Sequence, residues 1–150
     1  MAEIPADQRQ DPAFFRSGGE QIGRDGCRVP LPWTGTGRSY GFGSGPAHLP
    51  QPAWFAGLAV EVQDQDPDST LALYRDALRL RRELQSEESL TWLDTGRDDV
   101  LAFRRPNGWT CISNFGSEPY PLTGEQVLLA SAPLAGDALP GATTVWTRAA

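Results

Sequence analysis

Hydrophobic and polar positions divide the chain into three stretches with different periods. In "DPDSTLALYRDALRLRREL", Asp66 to Leu84, apolar residues recur at helical spacing. Leu71, Tyr74 and Leu78 form one ridge, and Leu73, Ala77, Leu80 and Leu84 form the next, which predicts an amphipathic helix with a wide apolar stripe. Asp66 is placed as its N-cap, Pro67 at its first position and Asp68 in its first turn. Arg79, Arg81 and Arg82 close it where cations suit the helix dipole. From Ser89 the period shortens. "SLTWLD", "DDVLAFRR", "WTCISNF", "YPL", "QVLLAS" and "TTVWTR" read as short strands separated by Gly, Asp, Asn and Pro. The turn signal Arg105-Pro106-Asn107-Gly108 predicts an antiparallel hairpin of Val100 to Arg104 with Trp109 to Asn114.

Residues 1 to about 65 carry turn signals and no sustained period. Their aromatic residues, Phe14, Phe15, Trp33, Tyr40, Phe42, Trp54 and Phe55, have no evident core to enter, so this segment is expected to lean on something larger. The fold class is therefore α+β: a long irregular segment, one amphipathic helix, and a small antiparallel β-sheet or half-sandwich. A β-domain of about 60 residues is marginal alone and gains from packing on a neighbour. No internal repeat is present.

Composition narrows the function classes. The 150 residues are 39% hydrophobic and 21% charged, as in one soluble domain or two small ones. The net charge is −6, and the densest basic group, Arg75, Arg79, Arg81 and Arg82, lies along the helix, so nucleic acid is not an expected partner. No stretch approaches the ~18 apolar residues of a membrane span. The start "MAEIPADQRQDP" has neither a basic head nor an apolar run, so a cytoplasmic location without membrane attachment is expected. Cys27, Cys111 and the single His48 cannot make a zinc site at sensible spacing, and free thiols are expected, with no metal or other cofactor.

Several motifs dissolve on inspection. Asp64-x-Asp66-x-Asp68 starts like a calcium loop, but Ser69 stands where glycine is needed and Arg75 where glutamate is, so helix capping explains the aspartates. The glycines between Gly35 and Gly45 do not make a phosphate-binding fingerprint. His48 has no nucleophile elbow nearby, and the side chains of Glu87-Glu88 and Asp98-Asp99 diverge. Trp92, Trp109, Tyr120 and Trp146 read as core or interface residues, with stacking on sugar rings as the alternative.

One stretch resists a bland reading. "GRDGCRVPLPW", Gly23 to Trp33, packs Arg-Asp and then Arg-x-Pro-x-Pro-Trp into eleven residues. It resembles the segment after the eighth barrel strand of the α-glucosidases of glycoside hydrolase family 13. "DPAFFRSGGEQIGRDGCRVPLPW", "GFG", "LPQPAWF", "VEVQDQDPDSTLALYRDALRLRREL", "DDVLAFRR" and "CISNFG" follow in the order expected of the actinobacterial, oligo-1,6-glucosidase-like type. The resemblance implies that residues 1–87 are a remnant of the end of a (β/α)8 barrel, comprising the loop after strand eight and the last helix. Residues 88–150 would be the C-terminal antiparallel β-domain. It further implies that Arg24 reaches the glucose pocket while Asp25 and Arg28 support the loop.

Retaining hydrolysis needs two carboxylates about 5 Å apart on a rigid frame. In this family they come from barrel strands that would precede Met1, so no catalytic residue and no hydrolytic activity are expected of the chain alone. The parent activity would be retaining hydrolysis of α-glucosidic bonds in malto- or isomalto-oligosaccharides. The implied partners are an α-glucoside or glucan, if any ligand, and a catalytic barrel chain. The alternative is a carbohydrate-binding or interaction module that complements a separately encoded barrel.

Overall fold

Turns rather than periodic elements organise the first half of the chain. The computed structural model describes residues 1–149, which fall into two units: Met1–Ala72, and Leu73 onward. The first unit holds helix α1 (Pro12–Arg16), helix α2 (Val60–Gln63), the first residues of α3 (Thr70–Glu83), and 3-10 turns at Ala6–Gln8, Asp25–Cys27, Arg38–Gly41 and Ala53–Leu58. Ala2, Ile4, Val29, Leu49 and Phe55 nevertheless form a buried cluster with Tyr40 packed against it. This corrects the expectation that the segment has no core of its own. The cluster draws single residues from widely separated turns, so no local period announces it. Phe15, Trp33, Phe42 and Trp54 stay outside it, each at least half exposed.

Helix α3 begins later than the capping signals predict. Ser69, not Asp66, is its cap: the Ser69 hydroxyl accepts the Ala72 N–H at 3.1 Å. Asp66 instead closes a preceding turn, its carboxylate accepting the Asp68 N–H at 2.9 Å and its carbonyl the Ser69 N–H. Gln63, the last residue of α2, supplies further acceptors. Its side-chain oxygen takes the Leu71 N–H and its carbonyl takes the Ser69 hydroxyl. Satisfying those end groups from α2 makes the later start the better one.

The second unit is an antiparallel sheet with a helix on one face. Strands β1 (Thr91–Leu93), β2 (Val100–Arg104), β3 (Trp109–Asn114), β5 (Glu125–Ala130) and β7 (Thr143–Ala149) lie in the order β1-β2-β3-β7-β5. Strands β4 (Tyr120–Pro121) and β6 (Ala138–Leu139) pair separately. The predicted β2–β3 hairpin forms, with Val100 opposite Asn114 and Arg104 opposite Thr110, and Gly108 provides the left-handed turn residue at φ 88°. Strand β6, only two residues long, is too short to show a period.

Alternation along β2, β3 and β7 gives the sheet two apolar faces. On one, Val100, Ala102, Ile112 and Val145 pack with Leu122 and Leu139. On the other, Trp109, Cys111, Phe103 and Trp146 receive Leu80 and Leu84 at the end of α3. Only that ridge of the helix is used, for Tyr74 and Leu78 are 64% and 51% exposed. Cys111 sits in this second layer as a free thiol whose pKa burial pushes up.

Candidate functional site

The residues of "GRDGCRVPLPW" are held by a carboxylate clasp that begins outside the motif. Asp11 precedes Pro12 and caps α1 in extended backbone, with Oδ1 accepting the Ala13 N–H at 2.9 Å. Its Oδ2 accepts the Arg24 N–H at 2.8 Å and pairs with Arg28 Nη1 at 3.1 Å. Asp25, only 1% exposed, reciprocates: its Oδ2 accepts the N–H groups of Gln10 at 2.8 Å and Asp11 at 2.9 Å. Arg28 Nη1 also lies 3.9 Å from Asp25 Oδ1, so one guanidinium serves both carboxylates. Gly23 is required here twice over. Its φ is 72°, and a Cβ on it would lie 2.6 Å from Cβ and Cγ of Asp11.

The exit of the motif is tied down by its own carbonyls. Gln51 Nε2 donates to the Pro30 carbonyl at 3.0 Å. The carbonyls of Pro32 and Trp33 accept the N–H groups of Val60 and Glu61, the first residues of α2. Val29 enters the core of the first unit, while Trp33 is half exposed.

Electrostatics follows from this geometry. The N–H groups of Ala13 and Arg24, then the charges of Arg28 and Arg24, hold the Asp11 carboxyl below the usual carboxylate range against its desolvation. A general acid needs the opposite shift. Asp11 and Asp25, the two buried carboxylates among the described residues, both accept backbone N–H groups of this loop and so organise it. Arg24 is exposed, and among the described residues its guanidinium has no hydrogen bond or ion pair. Its five planar donors are therefore not taken up within the clasp.

The structure thus brings Arg24, Asp25 and Arg28 to one cluster and adds Asp11, which the sequence reading did not single out. Its Asp-Pro helix-start signal was present, but the pairing with residues 24 and 28 crosses the chain. Other candidates stand apart. His48 is exposed. Asp99 is held in a two-pronged pair by Arg97, which lowers its pKa. No group of three or more His, Cys, Asp or Glu is arranged for a metal ion among the described residues. Of the four aromatics, Trp109 is buried and Trp92 is 63% exposed, its ring edge-on to Phe103 at 5.8 Å. No helix among the described residues is long and apolar enough to cross a membrane.

Comparison with known proteins places these features. No family model matches the chain. A probable alpha-glucosidase of Rhizobium meliloti (strain 1021) is 32% identical over 122 residues, covering 78% of this chain and 22% of that protein. Isomaltulose synthase (PalI) from Klebsiella sp. LX3 superposes with a TM-score of 0.70 at 20% identity, over 91% of this chain and 29% of the synthase chain. Trehalose-6-phosphate hydrolase (TreA) of Bacillus licheniformis superposes with a TM-score of 0.68 at 18% identity, over 99% of this chain and 34% of the hydrolase chain. The chain therefore spans about a fifth of its curated relative and about a third of its structural neighbours. Common sequence over most of the chain, with a common α+β fold, relates it to the C-terminal portion of the glycoside hydrolase family 13 α-glucosidases.

Proposed function

We propose that this chain is the non-catalytic C-terminal part of a cytoplasmic α-glucosidase and has no hydrolytic activity alone. Residues 1–87 derive from the end of the barrel and 88–150 form the C-terminal β-domain. The complete enzyme hydrolyses α-glucosidic bonds of malto- or isomalto-oligosaccharides with retention. In that enzyme Arg24 contributes donors to the glucose pocket, and Asp25 and Arg28 keep its loop in shape.

The observation that carries this reading is the state of the buried carboxylates. Retaining hydrolysis needs one carboxylate open to the substrate and one carboxylic acid kept protonated. Asp11 and Asp25 are both turned to backbone N–H groups and to Arg28. The purified chain should turn over a chromogenic α-glucoside no faster than a mock purification from cells lacking it. Turnover clearly above that control would overturn the proposal.

A second reading, an interaction or carbohydrate-binding module that complements a separately encoded barrel, is favoured by the exposed Tyr74 and Leu78 on α3 and by the exposed Trp92. Co-expression with a family 13 barrel lacking its own C-terminal part tests the first form, and recovery of no complex counts against it. Tryptophan fluorescence titrated with maltose and isomaltose tests the second, and an unchanged spectrum up to millimolar sugar counts against that.

A further inference from the structure

Two arginines lie four residues apart in the motif, and sequence alone does not say which one meets a ligand. Arg28, whose side chain is 44% exposed, is nevertheless engaged, 3.1 Å from Asp11 Oδ2 and 3.9 Å from Asp25 Oδ1. Arg24 hydrogen-bonds the same carboxylate through its backbone, donating its N–H to Asp11 Oδ2 at 2.8 Å, while its side-chain charge acts on Asp11 without an ion pair. One oxygen of Asp11 therefore does two things at once. It fixes the main chain at residue 24 and occupies the guanidinium of residue 28. We propose that Asp11 is a positioning residue that sorts the two arginines, locking Arg28 into the loop and leaving Arg24 to present its guanidinium outward to the hydroxyl groups of an α-glucoside. The ligand half of this statement rests on the function proposed above; the sorting half does not.

Several features make the sorting specific to Asp11. Its own N–H is pinned by Asp25 at 2.9 Å, and its second oxygen is held by Ala13, so the carboxylate has one orientation. Gly23 leaves just enough room for it, because a Cβ there would strike Asp11. Asp25 cannot take over, since its Oδ2 already accepts two N–H groups and its Oδ1 is the more distant from Arg28. The charges of Arg28 and, without an ion pair, Arg24 act on Asp11, and Asp25 lies beside Arg28.

Arginine-selective modification with phenylglyoxal, located by mass-spectrometric fragmentation, tests the sorting on the intact chain. Arg24 should react about fivefold faster than Arg28, the scale of a partly exposed ion pair. In Asp11→Asn the two rates should converge through a rise at Arg28, while the exposed Arg16 and Arg38 keep theirs. A merely structural role for Asp11 would instead speed backbone hydrogen exchange throughout residues 1–72 along with the rise at Arg28, and that result overturns the proposal. Equal rates at Arg24 and Arg28 in the unmodified chain overturn it without any variant, which keeps the test decisive if Asp11→Asn does not fold. Maltose added at millimolar concentration should protect Arg24 selectively. Sorting without protection would count against the ligand reading alone.

Discussion

The indole N–H of Trp109 donates to the carbonyl of Leu84 at 3.2 Å, joining the first residue of β3 to the residue that follows α3. The last carbonyls of a helix lack intrahelical donors. Leu84 is buried under the sheet, so its carbonyl needs partners from the protein, and Asn107 Nδ2 supplies a second at 2.5 Å. One acceptor with two donors thus fixes where the helix stops on the β2–β3 hairpin.

Removal of one donor should be tolerated and removal of both should not. Trp109→Phe should cost about 1 kcal/mol, because Asn107 still satisfies the carbonyl. Trp109→Phe with Asn107→Ala should cost more than the sum of the single changes, by about 1 kcal/mol or more. Urea denaturation of the four members of the cycle measures it, and strict additivity would contradict the shared-acceptor account.

The clasp of the first unit predicts a different pattern at Asp25. Asp25→Ala leaves the buried N–H of Asp11 and the part-buried N–H of Gln10 without their acceptor, at a cost of about 1–3 kcal/mol. Hydrogen exchange at those two amides should accelerate most. Equal acceleration throughout residues 73–149 would show that the loss is not local.

Acid should weaken both units through separate groups. Asp11 is held below its usual pKa by the N–H groups of Ala13 and Arg24 and then by Arg28, and Asp99 is held low by its hydrogen bonds from Arg97. A carboxyl whose folded pKa lies below its unfolded value, about 3.9, contributes stability that is complete above that value. The contribution is lost as pH falls from about 4 through the lower folded pKa. The Tm should therefore be flat from neutral pH to about 5 and should fall steeply below about 4. Asp11→Asn and Asp99→Asn should each flatten part of that slope, and a slope unchanged in both variants would refute the assignment.

Gly116 should be intolerant of any side chain. A Cβ there would run into Asp99 Oδ2 and crowd the Arg97 guanidinium, which also donates to the carbonyls of Glu118 and Pro119. Gly116→Ala should cost about 1–3 kcal/mol by overpacking. Gly43, with nothing near its missing Cβ, is the control, and equal Tm changes at the two positions would contradict the account.

The uncovered ridge of α3 should make the chain self-associate. Tyr74 and Leu78 stay exposed while Leu80 and Leu84 are packed. Leu78→Glu should shift sedimentation toward the monomer without lowering the Tm. A wild-type chain that is monomeric at all accessible concentrations would contradict this.

Particular residues show where sequence reading stopped. The helix, the β2–β3 hairpin and most strands were legible, because each is encoded by neighbours: the ridges of α3, the Pro-Asn-Gly turn, the alternation of β2 and β3. The start of α3 was misread, since Asp66 and Ser69 are both credible caps and only the acceptors that Gln63 brings choose between them. Arg24, Asp25 and Arg28 are singled out by the motif's likeness to a family, and Asp11 is not.

By itself the sequence determined the α+β class and the order of the long helix and most strands, which depend on residue types at short, regular separations, while the family relationship came through the resemblance of whole stretches of sequence. Only the tertiary structure decided which ridge of α3 is covered, how residues as distant as Ile4, Leu49 and Phe55 make one cluster, and which of two arginines is engaged. Those outcomes turn on single contacts between distant parts of the chain. A hydrogen bond from Arg24 to Asp11 leaves no period and no spacing in the sequence; it exists only once Gly23 has turned the chain and Asp25 has caught it.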